Sequence, residues 1–275
     1  MQQAISGETP LFALLGRPVA RSLSPLLHNT MFSLSGRPGV YVALEVGAGA
    51  AALGAALRAL PIQGLNLTLP LKQTMLDQLD ALGPCAAAAG AVNTVLRAPD
   101  GRLIGYNTDG EGLVAAVEER RPLPRSAVVL GAGGAARGVA AALHRRGLQV
   151  WLQARRPAAA EAAAAAIGCS ARPWRAGAPS PLVIDCTAAP EGEQAGLLRL
   201  APVENGGLYV DTNYWRRPEP ALGAALQAAG AAPLGGHAML LHQARLSFAH
   251  FTGAPAPTAA ALRAALPADR WPEGA

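Results

Sequence analysis

The sequence predicts an α/β protein of two domains, whose sheets are mostly parallel and in which one sheet has an antiparallel edge. Three observations predict this class. Short β-rich runs alternate with helical stretches through most of the 275 residues, as in parallel sheets covered by helices. A Pro-Asp-Gly turn at residues 99–101 separates two alternating runs and predicts a hairpin. Near residues 120–126, prolines and charges precede a regular strand–turn–helix and mark a domain boundary.

The predicted elements follow one another at regular intervals. Apolar residues at three-to-four spacing predict a helix over residues 235–251, which could return to the first domain. We therefore expect one domain made of residues 1–111 with 235–275, and a second made of residues 112–234. The predicted strands are Leu11–Leu15, Tyr41–Val46, Gly64–Thr68, two hairpin strands within 92–107, Val128–Leu130, Val150–Leu152, Leu182–Asp185 and Leu208–Val210.

Arginine carries almost all the positive charge of this chain. Of its 23 basic residues only Lys72 is a lysine, and the net charge is +5. The arginines occur as scattered doublets such as Arg145 and Arg146, without a basic run or interleaved aromatics. This distribution favours a solvated surface over a nucleic-acid partner, the alternative that the charge alone would suggest.

Cysteine usage and apolar patterning predict a cytoplasmic protein. The three cysteines are far apart and form no CxxC, so neither a disulfide framework nor a metal site is expected. The N-terminus lacks the basic and apolar regions of a signal peptide. The longest apolar stretch, Val46–Leu57, is shorter than the ~20 residues that span a bilayer. We expect no membrane association.

A glycine-rich turn opens the second domain. Residues 126–147 place a strand, then Gly131-Ala132-Gly133-Gly134-Ala135-Ala136, then an alanine-rich helix. Glycines at these positions allow a tight turn, and a helix N-terminus offers N–H groups to a pyrophosphate. This predicts a Rossmann-type nucleotide domain; the alternative is a tight turn that binds no ligand.

The next strand carries the residues that select the cofactor. An NAD enzyme usually has a carboxylate after this strand, but here it runs into Ala154-Arg155-Arg156. Two guanidinium groups suit a 2′-phosphate, which they can hold with charge-assisted hydrogen bonds. The prediction is NADP; the alternative is that both arginines merely face solvent.

Polar side chains cluster in four short segments of the first 112 residues, each at the end of a strand or the start of a helix. Because residues beyond the carboxyl ends of parallel strands converge on a crevice, the four segments together predict a site for a small polar ligand. Taken singly, each segment has an equally good structural explanation as a cap, a turn or a surface residue. The segments are Ser22–Pro25, Asn66–Lys72, Val92–Thr94 and Asn107–Gly110.

With these motifs the chain resembles the shikimate dehydrogenases over nearly its whole length. The resemblance implies reversible, NADPH-dependent reduction of 3-dehydroshikimate to shikimate in the synthesis of aromatic amino acids. It also implies a substrate domain made from the N-terminal part and a C-terminal helix, with an NADP domain between. The matching motifs are GRPVARSLSPLLHN (16–29), NLTLPLK (66–72), AVNT (91–94), GYNTDG (105–110), GAGGAARG (131–138), DTNY (211–214) and GGHAMLLHQA (235–244).

The resemblance also implies a role for individual residues. Lys72 and Asp109 would be the catalytic pair: a lysine can both stabilise the forming alkoxide and exchange a proton, whereas arginine hardly releases one. The implied substrate ligands are Ser22, Ser24, Asn66, Thr68, Asn93, Tyr214 and Gln243. The implied cofactor contacts are Gly131, Ala132, Gly133, Gly134, Ala135, Ala154, Arg155, Arg156, Thr187, Thr212, Gly236 and Met239.

Departures from the family pattern lie in or beside the second domain. The usual Asn-Arg-Thr is Ala154-Arg155-Arg156, and the usual Asn-Ala-Thr-Ser begins with Asp185. Quinate or aminoshikimate is an alternative substrate, and a non-catalytic NADP-binding sensor is an alternative function. The expected assembly is a monomer or a homodimer.

Overall fold

The computed structural model describes residues 5–46, 52–190, 192–215 and 219–271. The chain forms two compact units. The first unit combines the chain up to Thr108 with the chain from Leu241 onwards, and the second unit runs from Asp109 to Leu240. The domain boundaries expected from the sequence are 111/112 and 234/235. The assignment of one ligand to each domain stays a prediction.

A six-stranded sheet forms the middle of the first unit. Its strand order is β2-β1-β3-β5-β6-β4. β1 pairs in parallel with both β2 and β3, whereas β5 runs antiparallel to both β3 and β6. The strands are β1 (Leu11–Gly16), β2 (Val40–Glu45), β3 (Ile62–Leu67), β4 (Ala81–Leu82), β5 (Thr94–Arg97) and β6 (Leu103–Tyr106).

The hairpin predicted from the Pro-Asp-Gly turn is confirmed as β5 and β6. The Gly101 backbone has a φ of 84°, in the left-handed region that favours glycine. The two-residue strand β4 pairs with β6 and forms the edge of the sheet, so the antiparallel β5 lies two strands in from that edge.

The second unit contains a fully parallel six-stranded sheet. Its order, β12-β11-β10-β7-β8-β9, is that of the Rossmann fold and confirms the predicted class. β9 and β12 are short strands that the sequence did not predict. The strands are β7 (Ser126–Leu130), β8 (Gln149–Gln153), β9 (Ser170–Arg172), β10 (Ser180–Asp185), β11 (Val203–Asp211) and β12 (Ala232–Gly235).

Helices cover the sheets. The predicted helix over residues 235–251 is confirmed as the long α10, whose first residues belong to the second unit and whose residues from Leu241 belong to the first. The helices are α1 (Ser24–Ser35), α2 (Leu53–Ala59), α3 (Leu71–Thr74), α4 (Pro84–Ala89), α5 (Asp109–Glu118), α6 (Gly134–Arg145), α7 (Pro157–Ile167), α8 (Gln194–Leu200), α9 (Pro220–Ala228), α10 (Gly236–Thr252) and α11 (Ala259–Ala265).

The central strands of the second unit are buried on both faces. Val129 packs into a core with Leu113 and Val139, while its neighbours Val128 and Leu130 pack into a separate core on the other face. A strand covered on both faces needs apolar residues at successive positions, which explains the continuous run AVVL. Over the residues the structure describes, none of the helices has the length and apolarity needed to cross a bilayer.

Glycine brings α5 and α6 unusually close together. A Cβ on Gly110 would overlap the carbonyl oxygen of Gly138 and lie 2.5 Å from the Cβ of Ala142. Both partners are backbone or first side-chain atoms and cannot rotate away. The two helices can therefore reach this separation only with glycine at position 110.

We predict that Gly110→Ala lowers the free energy of unfolding of the second unit by about 1 to 3 kcal/mol, because it overpacks the α5–α6 contact. Denaturant titration measures this loss. Gly223→Ala in α9 is the matched control, since its added Cβ would meet nothing within 4 Å. Alanine should be neutral there or add up to about 1 kcal/mol through helix propensity. Equal stabilities of the two variants would contradict the packing argument.

Candidate functional site

Ser22 and Ser24 lie at the start of α1. Ser24 is the first residue of the helix and is buried, and its N–H donates to Ser22 Oγ at 3.2 Å. The two hydroxyl groups are thus held next to each other at the beginning of one helix. In the described part of the chain, no hydrogen bond joins them to the polar group around Asn66.

Asn66 lies near the end of β3 in a buried polar cluster. The two protons of its Nδ2 are shared among three acceptors, the carbonyl oxygen of Asn93 at 3.0 Å, Thr94 Oγ1 at 3.0 Å and Ser247 Oγ at 2.9 Å. Its Oδ1 accepts a hydrogen bond of 2.8 Å from the Tyr41 hydroxyl. One amide therefore ties together β2, β3, β5 and α10.

Asn93 occupies the centre of this cluster. Its Oδ1 accepts from the Thr108 N–H at 2.8 Å and from Thr94 Oγ1 at 2.9 Å. Its Nδ2 donates to Thr108 Oγ1 at 2.9 Å and to Gln243 Oε1 at 3.4 Å. The structure thus brings together three of the predicted substrate ligands, Asn66, Asn93 and Gln243, although they lie far apart in the sequence.

Lys72 follows β3 on the short helix α3 and is partly buried. Its carbonyl oxygen accepts the Val92 N–H at 2.7 Å, which fixes its backbone beside the segment that carries Asn93. Thr68 is held at the preceding turn, where its N–H donates to the Leu15 carbonyl at 2.9 Å. Asp109, buried at the start of α5, is the first residue of the second unit and directly follows Thr108.

The glycine-rich turn has the backbone geometry that a pyrophosphate requires. Gly131 follows β7 with a φ of 114°, and a Cβ there would approach the Cys186 carbonyl oxygen to 3.1 Å. Gly133 is exposed with open space where a side chain would stand. Within the residues described, no side chain caps the start of α6 and its first turn holds no acidic residue. The positive end of this helix therefore suits a phosphate group.

Arg155 and Arg156 follow β8, which lies beside β7. Both are exposed, whereas Ala154 before them is buried. Among the residues that the structure covers, neither guanidinium has a carboxylate partner. Because β7 and β8 are parallel, the arginines and the glycine turn both follow the carboxyl ends of their strands. They therefore lie at the same end of the sheet, as a 2′-phosphate beside a pyrophosphate would need.

Backbone and side-chain hydrogen bonds join the loops after β10 and β11. The Thr187 N–H donates to Oδ1 of the buried Asp185 at 2.8 Å, and the Thr212 hydroxyl donates to the Asp185 carbonyl oxygen at 2.8 Å. Asn213 Nδ2 donates to the Thr187 carbonyl oxygen at 3.0 Å. Gly236 starts α10 against this loop, since a Cβ there would lie 2.6 Å from the Thr212 carbonyl oxygen.

Tyr214 and Met239 complete the predicted residues of the second unit. The Tyr214 ring lies edge-on to His237 with 5.6 Å between centroids, and burial lowers the pKa of His237. Met239 is buried in the core beneath α6. Over the residues the structure covers, no group of three His, Cys, Asp or Glu side chains could hold a metal ion.

Several residues of these clusters were missed as site residues by the sequence analysis. Thr94 and Thr108 stood in the polar segments but received no role, and Tyr41 gave no signal. The sequence does carry a pattern that points to Ser247. It lies four residues after Gln243 in a predicted helix, so both residues occupy the same face. In the structure Ser247 Oγ donates to the Gln243 carbonyl oxygen at 3.0 Å.

Two family models match the chain. Residues 14–95 match the shikimate dehydrogenase substrate binding domain, and residues 236–266 match the shikimate 5′-dehydrogenase C-terminal domain. A shikimate dehydrogenase (NADP(+)) from Moorella thermoacetica is 40% identical over an alignment that covers 93% of this chain and 92% of the relative.

Solved structures show the same fold. A shikimate 5-dehydrogenase from Thermus thermophilus in complex with shikimate is 37% identical, with a TM-score of 0.82 over 94% of this chain and 97% of the other. A quinate dehydrogenase from Corynebacterium glutamicum in complex with NAD is 27% identical, with a TM-score of 0.79 over 94% and 98%.

A buried histidine lies against the polar cluster of the first unit. The His28 ring stacks on Tyr41 with centroids 4.2 Å apart and an interplanar angle of 3°. The side chain is fully buried, and in the described residues neither ring nitrogen has a hydrogen-bond partner. Burial lowers the pKa of His28 to about 3, because the charged imidazolium would lose its hydration.

We predict that His28 makes the protein acid-sensitive. The unfolded chain takes up this proton below pH ~6.5 and the folded chain only near the lowered pKa, so stability is lost as the pH falls between the two. At pH 5 the loss should be about 2 kcal/mol. His28→Phe keeps the stacked ring and removes this contribution. Denaturant titrations from pH 8 to pH 5 measure it, and parallel curves for the two proteins would contradict the prediction.

Proposed function

We propose that this chain, which belongs to the shikimate dehydrogenase family, catalyses the reversible NADP-dependent interconversion of shikimate and 3-dehydroshikimate. One observation supports this above the others. The single lysine of the chain is held by its backbone next to a buried amide and hydroxyl cluster of the kind that recognises a polyhydroxylated ring. A generic cation at this position would be arginine in a chain so rich in arginine.

Substrate recognition is assigned to the first unit with help from Tyr214. The paired hydroxyls of Ser22 and Ser24 suit the carboxylate or a hydroxyl of the substrate. Asn93 and Gln243 supply amides, and Thr68 supplies a hydroxyl beside Lys72. Asn66 acts through its contact with Asn93, to whose carbonyl oxygen its amide donates.

Cofactor binding is assigned to the second unit. Residues Gly131 to Ala135 would hold the pyrophosphate with the N–H groups that open α6, since the turn is uncapped there and carries no acidic side chain. Arg155 and Arg156 would hold the 2′-phosphate, and Ala154 places only a methyl group at the end of β8. Thr187, Thr212, Gly236 and Met239 would line the nicotinamide side.

The chemistry requires one proton at the substrate oxygen. NADPH, when bound, supplies the hydride that reduces the C3 carbonyl. The Lys72 ammonium donates a hydrogen bond to that oxygen, stabilises its developing negative charge and transfers the proton to it; the reverse reaction returns the proton to the amine. Asp109 orients the ammonium and takes part in returning the proton from solvent. In the sequence it follows Thr108, which Asn93 anchors.

The assignment carries further proposals about the protein. We assign it to the cytoplasm as a monomer or a homodimer, with a small-molecule substrate and no nucleic-acid partner. Quinate and aminoshikimate are the competing substrates. The paired serines Ser22 and Ser24 favour shikimate, and the two arginines favour NADP over NAD.

The test is an assay of the purified protein with shikimate or quinate and with NADP⁺ or NAD⁺. We expect reduction of NADP⁺ by shikimate, with kcat/KM at least about tenfold higher than for NAD⁺, as one charge-assisted hydrogen bond would provide. NADPH binding without turnover at any pH would instead favour a sensor, and preferred turnover of quinate would reassign the substrate.

The cofactor arm of this assay uses the variant Arg155→Ala/Arg156→Ala. It should raise the KM for NADP⁺ and leave the KM for NAD⁺ nearly unchanged, because only NADP⁺ has the 2′-phosphate. The control Arg125→Ala/Arg199→Ala removes two exposed charges of the same unit. Arg125 precedes β7 and Arg199 lies in the last turn of α8, so both are at the end of the sheet where the strands begin. Equal effects of the two double variants would assign the preference to net charge alone.

We predict that Lys72→Ala lowers kcat by about 10²- to 10⁴-fold, the range for general acid–base groups, with a smaller change in the KM for shikimate. Lys72→Arg should lose nearly as much, because arginine keeps the charge but does not release the proton. Steady-state kinetics at several pH values measure both. Near-normal turnover of the arginine variant would exclude proton exchange at this position.

A further inference from the structure

We propose that Tyr41, Asn66 and Ser247 are positioning residues, which fix the direction of the amide groups that Asn93 and Gln243 present to the substrate. This inference rests on the proposed function and names how its site is oriented. It concerns a chain of hydrogen bonds that lies entirely within the first unit, on β2, β3, β5 and α10.

Two backbone groups determine which way the amides face. The carbonyl oxygen of Asn93 can only accept, so the atom of Asn66 that lies 3.0 Å from it must be Nδ2. The Thr108 N–H can only donate, so the atom of Asn93 that lies 2.8 Å from it must be Oδ1. Reversing either amide would place like groups against each other.

The direction of the hydroxyl groups follows from these two amides. Oδ1 of Asn66 lacks a proton, so the Tyr41 hydroxyl at 2.8 Å must donate. Nδ2 of Asn66 can only donate, so Ser247 Oγ at 2.9 Å accepts from it. Ser247 Oγ also lies 3.0 Å from the Gln243 carbonyl oxygen, 2.9 Å from Thr94 Oγ1 and 3.1 Å from Thr108 Oγ1. Thr94 likewise accepts from Asn66 and passes its proton to Asn93 Oδ1 at 2.9 Å.

The chain of bonds ends at the two predicted substrate ligands. Asn93 Oδ1 is held on the Thr94 and Thr108 side, so Asn93 Nδ2 points towards Gln243 Oε1, 3.4 Å away. Gln243 Oε1 also faces the Thr108 hydroxyl, at 3.5 Å. With its oxygen turned into the cluster, Gln243 presents its amide N–H groups as donors, which suit the hydroxyl or carboxylate oxygens of the substrate.

Asn66 itself lies one step behind Asn93 in this chain of hydrogen bonds, because Asn93 and not Asn66 bonds to Gln243. Its side chain is 5% exposed, and the same amide bonds to Asn93, Thr94, Ser247 and Tyr41. Ser247 and Tyr41 are more deeply buried still.

The experiment compares Tyr41→Phe and Ser247→Ala with the wild-type chain. Each removes one hydroxyl and keeps the packing nearly unchanged. We expect the KM for shikimate to rise about fivefold in each, as for the loss of one buried neutral hydrogen bond, with the KM for NADP⁺ unchanged. Because Tyr41 and Ser247 share Asn66 as a partner, the double variant should raise the KM for shikimate by less than the product of the single effects.

Thr252→Val is the matched control. Thr252 lies on the same helix and donates to the Phe248 carbonyl oxygen at 2.9 Å, the same i to i−4 bond that Ser247 makes, but it has no contact with Asn66. Thr252→Val should lower thermal stability and leave the KM for shikimate unchanged. A similar KM effect in all three variants would show that general stability is responsible and would overturn the proposal.

A second measurement does not depend on turnover. The side-chain amide protons of Asn93, identified in NMR spectra by their loss in Asn93→Asp, should exchange with solvent at least about fivefold faster in Tyr41→Phe and Ser247→Ala than in the wild type. Unchanged exchange would overturn the proposal. A wild-type protein that fails to oxidise shikimate would contradict the proposed function. The amide exchange would still decide whether this chain of hydrogen bonds holds the Asn93 amide.

Discussion

A buried amide must form its hydrogen bonds inside the protein, and the first unit is organised around this requirement. Asn66 meets it by bonding to three segments that come from distant parts of the sequence. Leaving any one partner unsatisfied in this position would cost about 1 to 3 kcal/mol. The cluster therefore defines the register of α10 against the sheet and, with it, the place of Gln243.

The second unit depends on backbone conformation where the first depends on side-chain hydrogen bonds. A dinucleotide needs close approach to a helix N-terminus, and Gly131 and Gly133 permit that approach. The parallel order of the strands then brings Arg155 to the same end of the sheet. We propose that selection between cofactors depends on the charge at this end of the sheet, whereas cofactor binding itself depends on the shape of the turn.

Charge has two different roles in this protein. Exposed arginines are abundant and each contributes little to stability, as expected for solvated charges. Lys72 is the exception, because its proposed task includes releasing a proton. The polar cluster beside it consists of neutral amides and hydroxyls, which can orient the hydroxyl groups of a substrate without neutralising the ammonium. Binding and proton transfer are thus assigned to different chemical groups.

The sequence by itself determined the α/β class, the seven longer strands, the hairpin, the α10 helix and the glycine turn, because these depend on local periodicity and on backbone preferences. The sequence did not predict the short strands β4, β9 and β12, since they have only two to four residues and form by pairing with longer strands beside them. Motif resemblance supplied the names of site residues, but their individual roles stay predictions. Only the tertiary structure decided that Asn66 is turned inwards and that Tyr41 and Ser247 are its partners. Hydrogen bonds between residues 25 and 181 positions apart leave no local pattern in a single sequence, because they depend on how separate elements pack.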